Sequence, residues 1–582
     1  MKKHFLLCLL ILGFSSNQKI KAQYDITKRC SKTTYSLTSQ EMVNNFAITE
    51  PTCTWIAGTL AINGNDITDL TPLSNIESVI NINIASNKIL ENLYGLEKLT
   101  INSSSDTSIS LVQIKNNPLL TSLEPLKSLT GFTGNLFIEE NNSLKNLKGL
   151  ENIKVLLNGN LIIKNNKNLE TLEGLDNLES IGEDRSSTDN IFHGGRLWFE
   201  GNTKIKNLNS LSKLKTLNGH LMITSNDALE DISKLKIQNF ATTAVDDGGI
   251  VISANKSLRN TDGLEIRPNF RKQLAIINNE ILESVNIITD NTPTKIWHLI
   301  VTNNPKLKSF TAARNIVESE VYHASSGFTI ENNPELENLD DLQNLVKLTK
   351  DIIIRNNAKL KNINGLSNLS NIFNNTTELY IENNPMLKNL DGLEKIKLIG
   401  SIRIINNANL ENINGLRNLE RLFLTTGTEV ITIAENPKLT TIEPLKNILY
   451  TSIQDLRLVN NPELNTCNIP NICEFLNKTN WHRFIYNNKA GCNSEVEVKN
   501  ACATLGITEL EEKKLSLYPN PTNDFINLNQ KVDKLQIVNQ NGQILIDKDK
   551  IEKLSIKELP AGVYYMRTTI DNNIEINKIV KY

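Results

Sequence analysis

Cysteine offers the most chemistry in this 582-residue chain, and its placement points to disulfides. Cys30 and Cys53 fall before residue 54, and Cys467, Cys473, Cys492 and Cys502 fall after residue 466. The long stretch between them holds none. Cys8 lies in the N-terminal apolar run and is expected to leave with it; in an exported chain, the remaining even set divided in this way staples the two ends of something long. Three pairings remain open among the four later cysteines. Zinc would ask for regular ligand spacing and histidine partners, and only His482 lies near. The other histidines, His4, His193, His220, His298 and His323, are scattered, so neither a metal site nor a cofactor is expected. The chain also lacks G-x-S-x-G, H-E-x-x-H, G-x-x-x-x-G-K-[ST] and an EF-hand loop. Asp246-Asp247 and Asp340-Asp341 are paired carboxylates, but each sits in a turn or repeat unit that favours a solvated role over a glycosidase pair. No catalytic residue is assigned, and the chain reads as a non-enzyme.

Charge and composition narrow the partners. Lys and Arg total 62 against 64 Asp and Glu, and removal of residues 1–22 takes four lysines, leaving 58 − 64 = −6. A mildly acidic chain with 5% aromatics lacks the basic footprint of a nucleic-acid binder. Hydrophobic residues at 39% suffice for a large core. Residues 1–22 read as a secretory signal: Lys2 and Lys3 precede the apolar run Phe5–Phe14, and Ala22 ends a plausible cleavage site. That run is shorter than the roughly 20 residues a membrane span needs, and no other stretch is longer or more apolar. No transmembrane segment is therefore expected after signal removal.

The elements that must position any site come from one repeat. The pattern LxIxxNxxLxxLxGLxxLxxI recurs through residues 58–464, as in Leu379-Tyr-Ile381-Glu-Asn-Asn384-Pro-Met-Leu387-Lys-Asn-Leu390-Asp-Gly392-Leu393. Its asparagine falls at Asn65, Asn87, Asn117, Asn141, Asn166, Asn202, Asn226, Asn255, Asn279, Asn304, Asn333, Asn357, Asn384, Asn407, Asn436 and Asn461, sixteen units. Alternation in LxI puts two apolar side chains on one face of a short strand. Leucines every three residues suit tight or 3₁₀-like turns that return an apolar group inward. One unit cannot bury its apolar face alone, but stacked units share a continuous core and a parallel sheet. Sixteen coils at a rise of about 4.8 Å make a rod or arc of roughly 75 Å. The asparagine is expected at the corner after each strand, saturating turn backbone groups.

The expected architecture is a mainly β, parallel β-solenoid over 58–466 with disulfide-bonded caps at 23–57 and 467–505. Thr38-Ser-Gln-Glu41 fits a capping box that opens a helix in the first cap. A charged linker, 506–514, leads to a small C-terminal β-sandwich over 515–582, whose short alternating strands are broken by Pro, Asn and Gly turns.

Two features vary from coil to coil and could serve a ligand. Insertions at Asn102–Ser108, Gly182–Gly195, Asn239–Gly249, Ser319–Gly327 and Leu424–Thr428 all enter just before a strand, so they emerge along one edge. The residue between the two inward aliphatics points outward, and from Phe137 to Ile300 seven consecutive coils place an apolar residue there. Phe137, Ile162, Trp198, Met222, Val251, Ile300 and, further along, Tyr380 are the candidate binding residues, with Trp198 the most suggestive. The central outward positions do not gather the acids and cations that a polysaccharide-active enzyme would need.

Two resemblances carry these readings further. The segment N-x-x-L-x-x-L-x-G-L, as in Asn166-Lys-Asn-Leu169-Glu-Thr-Leu172-Glu-Gly174-Leu175, resembles leucine-rich repeats and more closely the receptor L domain. Sixteen coils exceed the number in receptor modules, so the likeness implies architecture and a tendency to bind, not a particular ligand. Residues 515–582 resemble the type A C-terminal sorting domain of the type IX secretion system of Bacteroidetes. The likeness rests on the Tyr518-Pro519-Asn520-Pro521 opening, Gly542 in the N-G-Q turn, Gly562 and Tyr564 in P-A-G-V-Y, and the basic end with Lys578 and Lys581. It implies handling by the type IX machinery, removal of this domain, and display at the cell surface or release. The expected role is that of a secreted or cell-surface repeat protein binding a protein or glycan partner, as in adhesion or host or matrix contact. A polysaccharide-active enzyme and a ligand-free surface spacer are the alternatives.

Overall fold

The computed structural model describes residues 28–102, 109–182, 195–241, 249–269, 273–287, 293–319, 327–372, 377–423, 430–478, 481–504, 515–540, 542–570 and 573–582. The signal segment, the linker 506–514, Asp246-Asp247 and the insertions at 103–108, 183–194, 242–248, 320–326 and 424–428 lie outside them. The chain divides into two compact units, Met1–Leu505 and Gly506–Tyr582.

The first unit is the parallel solenoid. Each LxI segment is a strand whose aliphatics are buried while the middle residue faces out, as at Leu379, Tyr380 and Ile381. Sixteen repeat strands, from Trp55–Ile62 to Asp455–Val459, pair in parallel with their neighbours. One strand from each cap extends the sheet, Thr34–Leu37 at the start and His482–Tyr486 at the end. The repeat sheet therefore continues into both caps. After most strands comes a residue with left-handed backbone, such as Asn116 (φ 53°) or Asn303 (φ 58°). This explains why so many ladder asparagines follow another Asn, the residue type best suited to that conformation after Gly. The leucines three apart lie in 3₁₀-type turns: Leu126 N–H donates to Leu123 O and Leu129 N–H to Leu126 O, 2.8 and 2.9 Å. Gly174 closes such a turn at φ +113°, where a Cβ would stand 2.0 Å from Leu147 O of the preceding coil. Shorter strands form a second set of parallel pairs across the coil, for example Ser180–Ile181 with Thr216–Leu217.

The asparagines form a buried ladder. In most rungs the side-chain Oδ1 accepts from the backbone N–H and the amide of the preceding rung, while Nδ2 donates to a strand carbonyl of the preceding coil. For Asn255 these contacts are Asn226 N at 3.1 Å, Asn226 Nδ2 at 3.3 Å and Ile223 O at 2.9 Å. Two ends differ from expectation. Asn65 is exposed, and Gly64 takes the first rung, its N–H donating to Asn87 Oδ1 at 2.8 Å, because this coil turns one residue earlier. At the other end Asn488 adds a rung, accepting from Asn461 N at 2.9 Å. Sixteen less Asn65 plus Asn488 keeps the total at sixteen, from Asn87 to Asn488.

The caps seal the apolar ends. Helix α1, Gln40–Thr49, starts one residue later than the Thr38 box implies: extended Ser39 is the N-cap, accepting from Met42 N at 3.3 Å. Glu41 then stands one position short of the reciprocal contact. Instead Gln40 reaches the first coil, its Oε1 accepting from Thr68 N and Asp69 N at 2.8 and 2.9 Å. In the second cap, helices α2 (Pro470–Leu476) and α3 (Glu495–Thr504) cover the last coil. Disulfides join Cys30 to Cys53, Cys467 to Cys492 and Cys473 to Cys502, which resolves the open pairing.

The second unit, in place of two facing sheets, is one antiparallel sheet of five strands, Leu517–Tyr518, Phe525–Val538, Ile544–Ser555, Gly562–Ile570 and Asn573–Lys581. Register shifts in the long strand Phe525–Val538 let the sheet bend over its own core of Ile526, Leu535, Ile537, Met566 and Ile579.

Loss of one rung strands its partners away from water. Asn255→Ala leaves Asn226 N–H and Ile223 C=O without this amide, and at about 1–3 kcal/mol per buried group the expected loss is about 2–6 kcal/mol. Asn65→Ala, at the exposed position, is expected to change stability by less than about 0.5 kcal/mol. Urea unfolding of the two variants measures both.

Candidate functional site

The outward side of the ladder sheet is built from three rows. The central row runs in register Gln113, Phe137, Ile162, Trp198, Met222, Val251, Ala275, Ile300, Thr329, Ile353, Tyr380, Arg403, Thr432 and Arg457, one residue per coil. The fold thus brings Phe137, Ile162, Trp198, Met222, Val251 and Ile300 together, while Thr329 and Ile353 separate Tyr380 from them. All seven are half-buried, because each is flanked by its neighbours above and below. Ala275 is fully buried. The row is a ridge one residue wide, not a broad exposed patch.

Two polar rows flank the ridge. On one side Lys115, Glu139, Lys164 and Glu200 alternate in sign on successive coils, with ion pairs of 3.5 Å for Lys115–Glu139 and 3.1 Å for Lys164–Glu200. Lys164 also leans over Trp198, its Nζ 3.8 Å from the ring centroid, so a cation roofs the indole. On the other side stand Asn135, Asn160, Arg196 and His220. Asn160 Oδ1 accepts from Gly195 N and Arg196 N at 3.1 and 2.9 Å and so fixes the start of the Trp198 strand. At this corner the coils touch backbone to backbone: a Cβ on Gly195 would lie 1.8 Å from Asn218 O.

Further along, the flanking rows supply the charges that the central row alone does not show. Glu331 pairs with Arg355 at 2.8 Å, Glu378 with Arg403 at 3.4 Å and Asp455 with Arg457 at 2.8 Å. Each guanidinium is thus matched to a carboxylate. The Asp455 carboxylate raises Arg457 above the ordinary arginine value. Burial pushes the Tyr380 phenol up, and a hydrogen bond to Glu382 adds to the rise. Of the acid pair Asp340-Asp341, Asp341 is structural, accepting from Arg314 Nε at 2.9 Å and Phe310 N at 3.1 Å. Sequence reasoning missed Phe484 and Tyr486, exposed aromatics on the last strand, with Arg457 4.9 Å above the Phe484 ring. Their signal was Phe484-Ile-Tyr-Asn-Asn488, a strand and corner without the leucine turns. Among the described residues no group of three or more His, Cys, Asp and Glu could hold a metal ion. None of their helices is long and apolar enough to cross a membrane.

In the C-terminal unit, the two ends of the segment meet. Asn520 Nδ2 donates to Lys578 O at 2.7 Å, and its Oδ1 accepts from Val580 N at 2.9 Å. Thr522 N continues this edge, donating to Val580 O at 2.9 Å. Pro519, Pro521 and Lys578 are exposed, whereas Lys581 is buried. Its ammonium donates to Ile556 O at 2.8 Å, to Lys557 O at 2.6 Å and to Leu559 O. Tyr564 is buried with its hydroxyl on Pro560 O at 2.7 Å, Gly562 begins that strand, and Gly542 (φ +81°) closes the turn from Asn539. The motif residues of this segment therefore hold its fold together.

Lys164→Ala is expected to uncover one face of Trp198, seen as stronger acrylamide quenching of tryptophan emission. Lys581→Met removes charge-assisted hydrogen bonds worth about 1.5–3 kcal/mol each in gross terms and is expected to lower the melting temperature of the C-terminal unit. Exposed Lys578→Met leaves it unchanged within error, as differential scanning calorimetry of the full chain can show.

Residues 516–582 match the family model described as the secretion system C-terminal sorting domain. No curated protein matches the chain. A C-terminal unit of this family is the mark of type IX secretion, and the protein that carries it is secreted to the cell surface or the extracellular space.

Proposed function

We propose that this exported solenoid binds a protein or glycan partner on the outward face of its ladder sheet, in adhesion or in host or matrix contact, and catalyses no reaction. The observation that carries the reading is the in-register apolar ridge from Phe137 to Ile300, flanked on both sides by polar side chains over the coils of Phe137, Ile162, Trp198 and Met222. A strictly regular face of this kind places the same side-chain position once per coil, which suits an extended partner that touches many coils. The repeat's resemblance to leucine-rich repeats and the receptor L domain supports binding as the use of the face. The charges beyond Glu331 are matched pair by pair, which suits a structural or recognition role better than acid–base work.

Exported protein recovered from the cell surface or medium should retain ligands from combined glycan and protein arrays. Trp198→Ala and Ile300→Ser, each with an unchanged melting temperature, should weaken the strongest of these by about tenfold or more. A spacer without a ligand would give no retained partner, and turnover of a retained glycan would show an enzyme instead.

A further inference from the structure

Unsatisfied polar groups are rare in folded interiors, and a cluster of them asks for a missing partner. Three consecutive coils of the solenoid hold such a cluster. Arg196 Nε and Trp198 Nε1 are shielded from water and have no hydrogen-bond partner among the described residues. In the next coil Asn218 is 8% exposed, and neither its Oδ1 nor its Nδ2 is paired. In the coil before, Asn158 is 2% exposed with its Oδ1 unpaired. The backbone of Asn218 packs directly on Gly195, the residue before Arg196.

Arg196 is also an exception in charge. Arg355, Arg403 and Arg457 on the same sheet each pair with a carboxylate, and Lys164 pairs with Glu200 along the other edge of the ridge. Arg196 is half-buried with no ion-pair partner among the described residues, while Asn160 holds its backbone in place. An unpaired, partly desolvated guanidinium is costly and is pre-organised to take a carboxylate through two parallel hydrogen bonds.

We infer that Arg196 is the anion-receiving residue of this face and that the ligand is a linear, uronate-containing polysaccharide lying across the Ile162–Trp198–Met222 segment of the ridge. The inference rests on the reading of the ladder face as a binding surface. A protein interface buries a broad apolar core, which a ridge one residue wide does not offer. A sugar chain matches it: its C–H faces are apolar and narrow, its hydroxyls lie at both edges, and its carboxylates are spaced along its length. Asn160, Arg196 and His220 stand along one edge of the ridge, and Lys164, Glu200 and Thr224 along the other.

Calorimetric titration of the exported protein with a mannuronate hexamer, a galacturonate hexamer and neutral cellohexaose tests this. At least one uronate hexamer should bind about tenfold or more tightly than cellohexaose at low salt, and the preference should shrink as salt rises. Arg196→Gln should remove the preference without lowering the melting temperature, and Arg196→Lys should restore it only in part. Equal binding of cellohexaose and the uronates, or indifference to Arg196→Gln, overturns the acidic-ligand inference while leaving the face as a glycan site. Absence of any hexamer binding, with Trp198-dependent retention of a protein ligand, overturns it and leaves the binding reading intact. If no partner of any class is retained, both fall together.

Discussion

The buried asparagine ladder is the interaction on which the solenoid depends. Each coil must reverse its chain at a corner inside the protein, and the backbone groups freed there cannot reach water. One carboxamide, with a two-proton donor and an acceptor oxygen, satisfies them and passes the same task to the next coil. The side chain therefore couples neighbouring coils with fixed polarity, from the Gly64 N–H at one end to Asn488, whose backbone N–H donates to Asn493 Oδ1 at 3.2 Å, at the other. Aspartate would lack the donors, and glutamine would overshoot the corner. The stacked leucines and isoleucines supply the larger share of burial, but they do not by themselves set the register; the ladder does.

Fixed register has consequences on the opposite side of the strands. Because every coil places its residues at the same height and angle, any difference along the outward face is a difference in side chains alone. The apolar ridge, the alternating Lys and Glu row and the matched arginines further on are all products of this regularity. Partial burial of the ridge follows too: side chains stacked one coil apart shade each other, so an outward isoleucine is never as open as the same residue on a loop. Coil-to-coil contact also constrains the corners, where glycine at 195 lets one backbone lie against the next.

The C-terminal unit is held by a different logic. It has no repeat to share its core with, so it closes on itself by joining its first and last residues. Asn520 and Thr522 pair with the final strand, and the Lys581 ammonium gathers three carbonyls of a single turn. A motif that reads along the sequence as separated tags is, in space, a single clasp.

The repeat, its strand-and-corner geometry, the disulfide-bearing caps and the sorting segment were legible in the sequence, because each rests on local spacing: two for strands, three for the leucine turns, one asparagine per corner. Ends of patterns were the least legible. Asn65 matches the consensus yet stands outside the ladder because its coil turns early, and Asn488 lacks the leucines yet completes it. The outward identity of Trp198 could be read from alternation, but its Lys164 roof could not, since those residues are 34 apart in the chain and adjacent only across coils. The same holds for Arg196 having no ion-pair partner among the described residues, the pairing of the four later cysteines and the burial of Lys581. Periodicity along a chain determines which way a side chain points; what it meets there is decided by stacking, which joins residues that the sequence keeps far apart.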